Sequence, residues 1–179
     1  SDAAGNDQFG RSIAISGSTI VVGALYDDDG ASNSGSAYVF DTNGNQLAKL
    51  TASDAAASDY FGQAVAVSGS SIVVGAYLDD DDGSMSGSAY VFDTNGTKLA
   101  KLTASDGAAS DYFGRAVAIS GSTIVVGAYG DDDGGSSSGS AYVFDTNGTK
   151  LAKLTASDGA ASDYFGRAVA ISGSTIVVG

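Results

Sequence analysis

The sequence of 179 residues is strongly acidic: its 21 acidic residues are all aspartates, only 8 residues are basic, and the formal net charge is −13. Because the chain contains no Cys and no His, it has no thiol nucleophile, no imidazole base and none of the ligands that zinc and redox metals prefer. Hard cations with oxygen ligands remain, and calcium is the first of them. Nucleic acid is excluded as a partner because its binding depends on Lys and Arg neutralising phosphates. The longest apolar runs are far too short to cross a bilayer, so no membrane insertion is predicted.

The chain consists of closely similar units that repeat every 52 residues. An Asp-x-Phe-Gly pattern returns at this spacing without insertion, and residues 86–127 are identical to residues 138–179 over all 42 positions. We divide the sequence into a linker, three full units and a partial fourth unit, at residues 1–7, 8–59, 60–111, 112–163 and 164–179. Repetition of one surface favours a scaffold or binding surface over an enzyme, because a catalytic centre needs several different groups that converge once.

The third unit shows the pattern of four short strands in succession. Residues 113–119 alternate large and small side chains with a period of two, as a strand with two differently packed faces does. A Ser-Gly-Ser turn leads to residues 123–129, a β-branched run that is apolar on both faces and therefore suits a strand packed on both sides.

A polar, aspartate-rich loop separates these strands from the other two. The third strand is predicted at residues 140–145, before the Asn147-Gly148 hairpin signal. The fourth, at 150–155, is expected to be bulged because its leucines stand three residues apart. Four short antiparallel strands at this repeat length are typical of a β-propeller blade. The predicted fold class is therefore all-β, with three full propeller-type blades and a half blade; the main alternative is a β-solenoid.

Two motifs in each unit resemble a known family. Phe113-Gly114, followed by Ile124 to Ala128, resembles the FG-GAP repeat of integrin α-subunit propellers and of many prokaryotic exported proteins. The resemblance implies a propeller blade, an extracellular or cell-surface location and a role in adhesion or binding. Integrin propellers recognise ligands on the side of the 2–3 and 4–1 loops. Their calcium-binding repeats carry alternating aspartates between strands one and two, where this chain has Ser-Gly-Ser, so that site is not carried over.

The aspartates gather in the loops between strands two and three and between strands four and one. These loops emerge on the same side of an up-and-down blade, so five of the six aspartates of the third unit are expected on one rim. Because calcium takes six to eight oxygen ligands, the runs of aspartate are the candidate metal ligands: Asp27, Asp28, Asp29, Asp79, Asp80, Asp81, Asp82, Asp131, Asp132 and Asp133. The alternative is a set of solvated acidic loops that keep the protein soluble.

Three further kinds of residue recur at fixed positions. Asn95 and Asn147 lie in Asn-Gly-Thr sequons and are candidate glycosylation sites, although a hairpin turn alone explains them. The arginines after Phe-Gly, such as Arg115, are expected to pair with loop aspartates. The phenylalanines of the Phe-Gly motifs are expected to be buried between blades: Phe9, Phe61, Phe113 and Phe165.

These observations favour a non-enzymatic, extracellular structural or adhesive module that assembles through blade-to-blade and strand-edge contacts. Its expected partners are other copies of itself or further repeats of a longer chain, together with an extracellular protein or glycan. The alternative is a calcium-dependent protein- or glycan-binding propeller domain. A glycoside hydrolase is the third hypothesis, but no pair of aspartates stands out from the rest. Propellers close with four to eight blades, so the chain is not expected to exist as an isolated monomer.

Overall fold

A computed structural model describes residues 6–179, which form strands, turns and loops without a helix. None of these residues therefore belongs to a helix that is long and apolar enough to span a membrane. The strands form three four-stranded sheets and one two-stranded sheet, and each strand pairs with the next one in its own sheet. The predicted all-β fold of three antiparallel blades and a half blade is confirmed.

The strands have similar bounds in every unit. Blade 1 contains β1 (Phe9–Ser16), β2 (Thr19–Ala24), β3 (Ser36–Asp41) and β4 (Gln46–Leu50). Blade 2 contains β5 (Ala64–Ser68), β6 (Ser71–Ala76), β7 (Ser88–Asp93) and β8 (Lys98–Leu102). Blade 3 contains β9 (Ala116–Ser120), β10 (Thr123–Ala128), β11 (Ser140–Asp145) and β12 (Lys150–Leu154). The half blade contains β13 (Val169–Ser172) and β14 (Thr175–Val178).

The fourth strand of each full blade is bulged, as its leucine spacing predicted. In blade 3, Val143 pairs with Ala152 whereas Phe144 pairs with Lys150, so Leu151 is the extra residue. Leu151 is 58% exposed. The same register shift occurs in blades 1 and 2.

An aspartate closes each Asn-Gly hairpin between the third and fourth strands. Asp145 Oδ1 accepts the backbone N–H groups of Asn147 (2.9 Å) and Thr149 (2.8 Å), and Gly148 adopts a φ of +88°. Asn147 and its equivalent Asn95 are exposed at these turns. The local sequence thus builds a turn that presents both sequons to solvent.

The hydrophobic core lies between neighbouring blades rather than inside one of them. We call the side of a blade that carries the Phe-Gly phenylalanine its front face and the opposite side its back face. In blade 3, Phe113 and Tyr142 lie on the front face and pack in one cluster with Val73, Val91 and Leu102 on the back face of blade 2. An equivalent cluster joins blades 1 and 2.

Glycines of the two repeat motifs allow the blades to approach closely. A Cβ atom at Gly75 in blade 2 would collide with the carbonyl oxygen of Gly114 in blade 3. Gly114 adopts a φ of +86°, a left-handed conformation that favours glycine. The repeated Phe-Gly and Gly-Ala motifs therefore mark a backbone-to-backbone contact between adjacent units.

Hydrogen bonds also connect the loop before each first strand to the preceding blade. The N–H groups of Ser110 and Phe113 donate to the carbonyl oxygens of Ser84 and Ser86, both at 2.9 Å. The acidic 4–1 loop at the end of a unit is thereby held against the acidic 2–3 loop of the same unit.

The expectation that all four Phe-Gly phenylalanines are buried between blades is wrong for Phe9. Phe61 and Phe113 are fully buried, whereas Phe9 is 53% exposed, and Phe165 is half-buried. Within residues 6–179, no blade covers the front face of blade 1, so its phenylalanine has the same sequence context but no partner surface.

Candidate functional site on the acidic rim

The acidic rim of blade 3 centres on one buried carboxylate. Asp131, the first aspartate after β10, is 4% exposed. Tyr142 on β11 places its Oη 2.8 Å from Asp131 Oδ2 and 2.8 Å from Asp106 Oδ1. Asp106 belongs to the loop after blade 2, so the group joins two units.

A lysine from the fourth strand lies among these carboxylates. Lys153 Nζ is 2.9 Å from Asp131 Oδ2, 2.8 Å from Asp106 Oδ2 and 2.5 Å from Asp133 Oδ2. It also lies over the Tyr142 ring, 5.1 Å from the centroid. We call Tyr142, Lys153, Asp106, Asp131 and Asp133 the lysine cluster of blade 3.

The same arrangement occurs in the other blades. In blade 2, Lys101 pairs with Asp54 at 2.7 Å, with Asp79 at 3.2 Å and with Asp81. In blade 1, Lys49 pairs with Asp27 at 3.1 Å and with Asp29. The cluster is therefore a feature of the repeat, which sequence reasoning missed although Lys49, Lys101 and Lys153 recur at one position of the unit.

Hydrogen bonds and opposite charges keep Lys153 and Asp106 ionised against burial, whereas Tyr142 is kept neutral. Burial favours the neutral form of Lys153, but hydrogen bonds to Asp106, Asp133 and Asp131 outweigh it and hold the lysine pKa above its ordinary value. Burial raises the pKa of Tyr142, and the two aspartates beside its hydroxyl raise it further. Burial also opposes ionisation of Asp106, yet Lys153 and Tyr142 keep the pKa of this carboxyl below its usual range.

One neighbouring carboxylate behaves in the opposite way. Burial raises the pKa of Asp111 to about 6, against a hydrogen bond from the Ala108 N–H, and the negative charges of Asp131 and Asp132 add to the rise. Asp111 Oδ2 accepts that N–H at 2.8 Å. Asp59, its equivalent in the preceding unit, also has a raised pKa, for which burial is the main cause.

The other aspartates of the runs have different local roles. Asp132 Oδ1 accepts the Ser137 N–H at 2.6 Å and so closes the 2–3 loop, as Asp80 and Asp28 do in the other blades. The Asp82 side chain is exposed and makes no hydrogen bond within residues 6–179. Consecutive aspartates thus face different partners, and the ten candidate metal ligands do not converge as whole runs.

Among residues 6–179, two groups of carboxylates nevertheless lie close enough to hold a metal ion. They are Asp54, Asp79 and Asp81 in one group and Asp106, Asp131 and Asp133 in the other, and the ligand oxygens of each lie within 4.8 Å of one another. Their donor set suits calcium. In both groups, however, the ammonium of Lys101 or Lys153 already lies beside all three carboxylates, so a cation would have to displace it.

The expected ion pairs between the Phe-Gly arginines and loop aspartates are not formed in the described part of the chain. Arg115 instead lies over the Tyr77 ring, with its guanidinium carbon 5.4 Å from the centroid. Lysine takes the role that sequence reasoning gave to arginine.

Comparison with known proteins identifies the family of the chain. The FG-GAP repeat profile matches residues 1–40, 45–92, 97–144 and 149–179. The chain belongs to the FG-GAP repeat family. No curated protein matches this FG-GAP repeat chain.

Two solved structures share the fold of the FG-GAP repeats. The computationally designed Ika4 protein is 22% identical with a TM-score of 0.60, over 98% of this chain and 87% of that one. The computationally designed Ika8 protein is 23% identical with a TM-score of 0.57, over 94% of this chain and 42% of that one. At this identity, the likeness concerns the fold alone.

Proposed function

We propose that this FG-GAP repeat chain is a non-enzymatic, extracellular structural or adhesive module that works by packing blade on blade. The observation that carries the proposal is the open front face of blade 1, where Phe9, Ile13 and Ile15 are 53%, 64% and 64% exposed. Clustered apolar side chains of this kind mark association surfaces.

The interface between blades 1 and 2 supports an expectation of which surface covers this face. In blade 2, the equivalent Phe61 and Val67 pack in one cluster with Val21, Val39 and Leu50 on the back face of blade 1. The half blade exposes Val177, the equivalent of Val21, which is 62% exposed. The expected partner is therefore the back face of another FG-GAP repeat, supplied by further repeats or by a second copy of the chain.

The proposed extracellular location is based on the family resemblance, and the chemistry of the surface agrees with it. The net charge of −13 opposes non-specific aggregation. Asn95 and Asn147 are exposed on hairpin turns, where a glycan could be attached without disturbing a blade interface. Mass analysis of protein secreted from a glycosylating host tests these sites.

Light scattering of the 179-residue chain at micromolar concentration tests the packing proposal. We expect an associated species, and we expect Ile15→Asp to dissociate it by placing a charge on the open face. Leu99→Asp is the matched control, because Leu99 is also about half exposed, at 50%, but lies in the fourth strand of blade 2. A folded, monodisperse wild-type monomer would refute the proposal.

Calcium binding is the second candidate function, and the two groups of three carboxylates support it. Because a lysine ammonium lies in each group, we expect wild type to bind calcium weakly. Replacing both Lys101 and Lys153 by Met should strengthen binding, since the carboxylates then lack a cation. Calorimetric titration with calcium of wild type, the double variant and a Lys98→Met, Lys150→Met control measures this. Calcium binding by neither wild type nor the double variant would remove calcium as a ligand.

A further inference from the structure

A row of tyrosine rings crosses all the units beside the acidic rim. The rings come alternately from two positions of the unit: the loop that follows the second strand, and the position directly before Phe-Gly. Successive centroids lie 5.2, 5.9, 6.3, 4.9 and 6.0 Å apart along Tyr26, Tyr60, Tyr77, Tyr112, Tyr129 and Tyr164. The row is separate from the tyrosines of the lysine clusters.

Three of these tyrosines have a backbone conformation that does not favour tyrosine. Tyr60, Tyr112 and Tyr164 adopt φ values of +56°, +56° and +57°. An L-residue with a bulky side chain is strained in this region, where Gly or Asn is more usual. The rings are therefore held in place by the surrounding structure.

The row ends in a cleft on the rim of blade 3, between its 2–3 loop and the loop that precedes the blade, with Tyr164 at one end. The cleft has a volume of about 430 Å³ and is lined by Tyr112, Tyr129 and Tyr164 together with Ser110, Ser137 and Asp132. This volume falls in the range of small-molecule sites. Tyr112 and Tyr129 lie parallel, with an angle of 6° between their planes, whereas the equivalent rings Tyr60 and Tyr77 are tilted by 37°.

Two sequence differences explain why the cleft is open at this place. Gly130 lines the cleft where the preceding unit has Leu78, and Ser137 lines it where that unit has Met85. Leu78 and Met85 are both half-buried. The third unit thus differs from the second by losing two apolar side chains at the same site.

The lining combines flat aromatic rings with hydroxyl groups and a carboxylate. Within residues 6–179, no hydrogen bond involves the phenol groups of Tyr112, Tyr129 and Tyr164 or the hydroxyls of Ser110 and Ser137. Asp132 Oδ1 accepts the Ser137 N–H, which leaves Oδ2 to accept from a ligand. These groups offer both donors and acceptors around an aromatic surface.

We propose that this cleft binds a neutral saccharide, with the sugar ring against the tyrosines and its hydroxyls bonded to the serines and Asp132. The C–H face of a sugar complements the electron-rich face of an aromatic ring. Anionic sugars are disfavoured by Asp132 and by the net charge of −13. The proposal does not depend on blade-to-blade association or on calcium, so its failure would leave both intact.

A glycan array carrying neutral and sialylated glycans, probed with wild type in the presence of EDTA, gives the first test. We expect signals on neutral glycans, and we expect the methyl glycoside of the preferred sugar to show saturable binding by tyrosine fluorescence, which is unobscured because the chain contains no Trp. Signals confined to sialylated glycans, or no signal, would overturn the proposal. Binding of tetramethylammonium without binding of any neutral sugar would overturn it as well.

Variants that copy residues of the other units localise the binding with little risk to folding. Tyr129→Leu introduces the residue that unit 1 has as Leu25, and Ser137→Met introduces the residue that unit 2 has as Met85. Each should weaken binding about tenfold or more, by removing an aromatic surface or by filling the cleft. Tyr60→Gln, which copies Gln8, is the control. It alters the tyrosine row at a position that does not line the cleft, and it should leave the affinity for the saccharide unchanged. Unaltered affinity in both cleft variants would place the saccharide elsewhere and overturn the assignment.

Discussion

Blade 1 and blade 2 have closely similar sequences, but their front faces differ sharply in exposure. Phe9 and Ile15 of blade 1 are 53% and 64% exposed, whereas the equivalent Phe61 and Val67 of blade 2 are 0% and 9% exposed. The neighbouring blade, rather than the unit's own sequence, decides whether these side chains are buried. Stability in this fold is therefore a property of the interfaces between units, as in other repeat proteins.

Truncating one phenylalanine in each environment tests this contrast most strongly. Phe113→Ala removes a fully buried ring and should lower the free energy of unfolding by about 3–5 kcal/mol. Phe9→Ala removes a ring that is 53% exposed and should cost less than about 1 kcal/mol in the unassociated chain. Denaturant unfolding of both variants at low protein concentration measures the difference. Equal losses would show that the front face of blade 1 is covered in solution.

A second contrast concerns two lysines of the same strand. The Lys153 side chain is 17% exposed and pairs with the buried Asp131, whereas Lys150 is exposed and bonds to Ser105 Oγ. Lys153→Met should cost about 2–3 kcal/mol, because it leaves a buried carboxylate without its cation. Lys150→Met should change stability by less than about 0.5 kcal/mol. Urea unfolding at pH 7 distinguishes the two, and indistinguishable midpoints would show that the lysine cluster adds no stability.

The smallest expected effect is a dependence on pH. Asp111 has a pKa of about 6 in the folded protein, above the value of about 3.9 for an unperturbed aspartate. The neutral form of Asp111 is therefore favoured in the folded state and stabilises it. This contribution to the free energy of unfolding is complete below about pH 4 and is lost as the pH rises to about 6. Asp111→Asn cannot ionise, so its stability relative to wild type should rise by about 1–2 kcal/mol between pH 4 and pH 7.

Asp163→Asn is the control for this measurement. Asp163 accepts the same kind of hydrogen bond, from the Ala160 N–H at 2.8 Å, but it is exposed, in the loop that leads to the half blade. Urea unfolding midpoints of wild type and both variants, measured at several pH values between 4 and 7, give the comparison. A wild-type pH profile that Asp111→Asn leaves unchanged would show that this carboxyl titrates normally.

The sequence was sufficient to predict the strands because each has a local pattern, except that the first strand of the third unit begins at Ala116 rather than at residue 113. Three such patterns involve only residues that are close along the chain. They are the alternation of large and small side chains in residues 113–119, the Asn147-Gly148 hairpin signal and the leucine spacing of β12. The phenylalanine prediction used the same local information and was wrong at Phe9, because the burial of a front face depends on another unit.

The candidate site was less predictable because its residues come from different units. The cluster that contains Lys153 includes Asp106, 47 positions earlier in the chain, and such a contact leaves no local pattern. The aspartate runs predicted an acidic rim correctly, but they did not show that a lysine lies within it. Likewise, Gly130 is visible in the sequence, whereas the cleft that it opens depends on the ring of Tyr112 from an earlier loop.

The contact between backbones at Gly75 and Gly114 has a consequence for how such proteins change in length. The corresponding contact at Gly127 and Gly166 joins blade 3 to the half blade, so both junctions use the same atoms. Recombination between copies of the 52-residue unit therefore inserts or deletes a whole blade without creating a new kind of junction. Copy number can vary during evolution at little structural cost, while single substitutions such as glycine at position 130 give individual blades their own surface clefts.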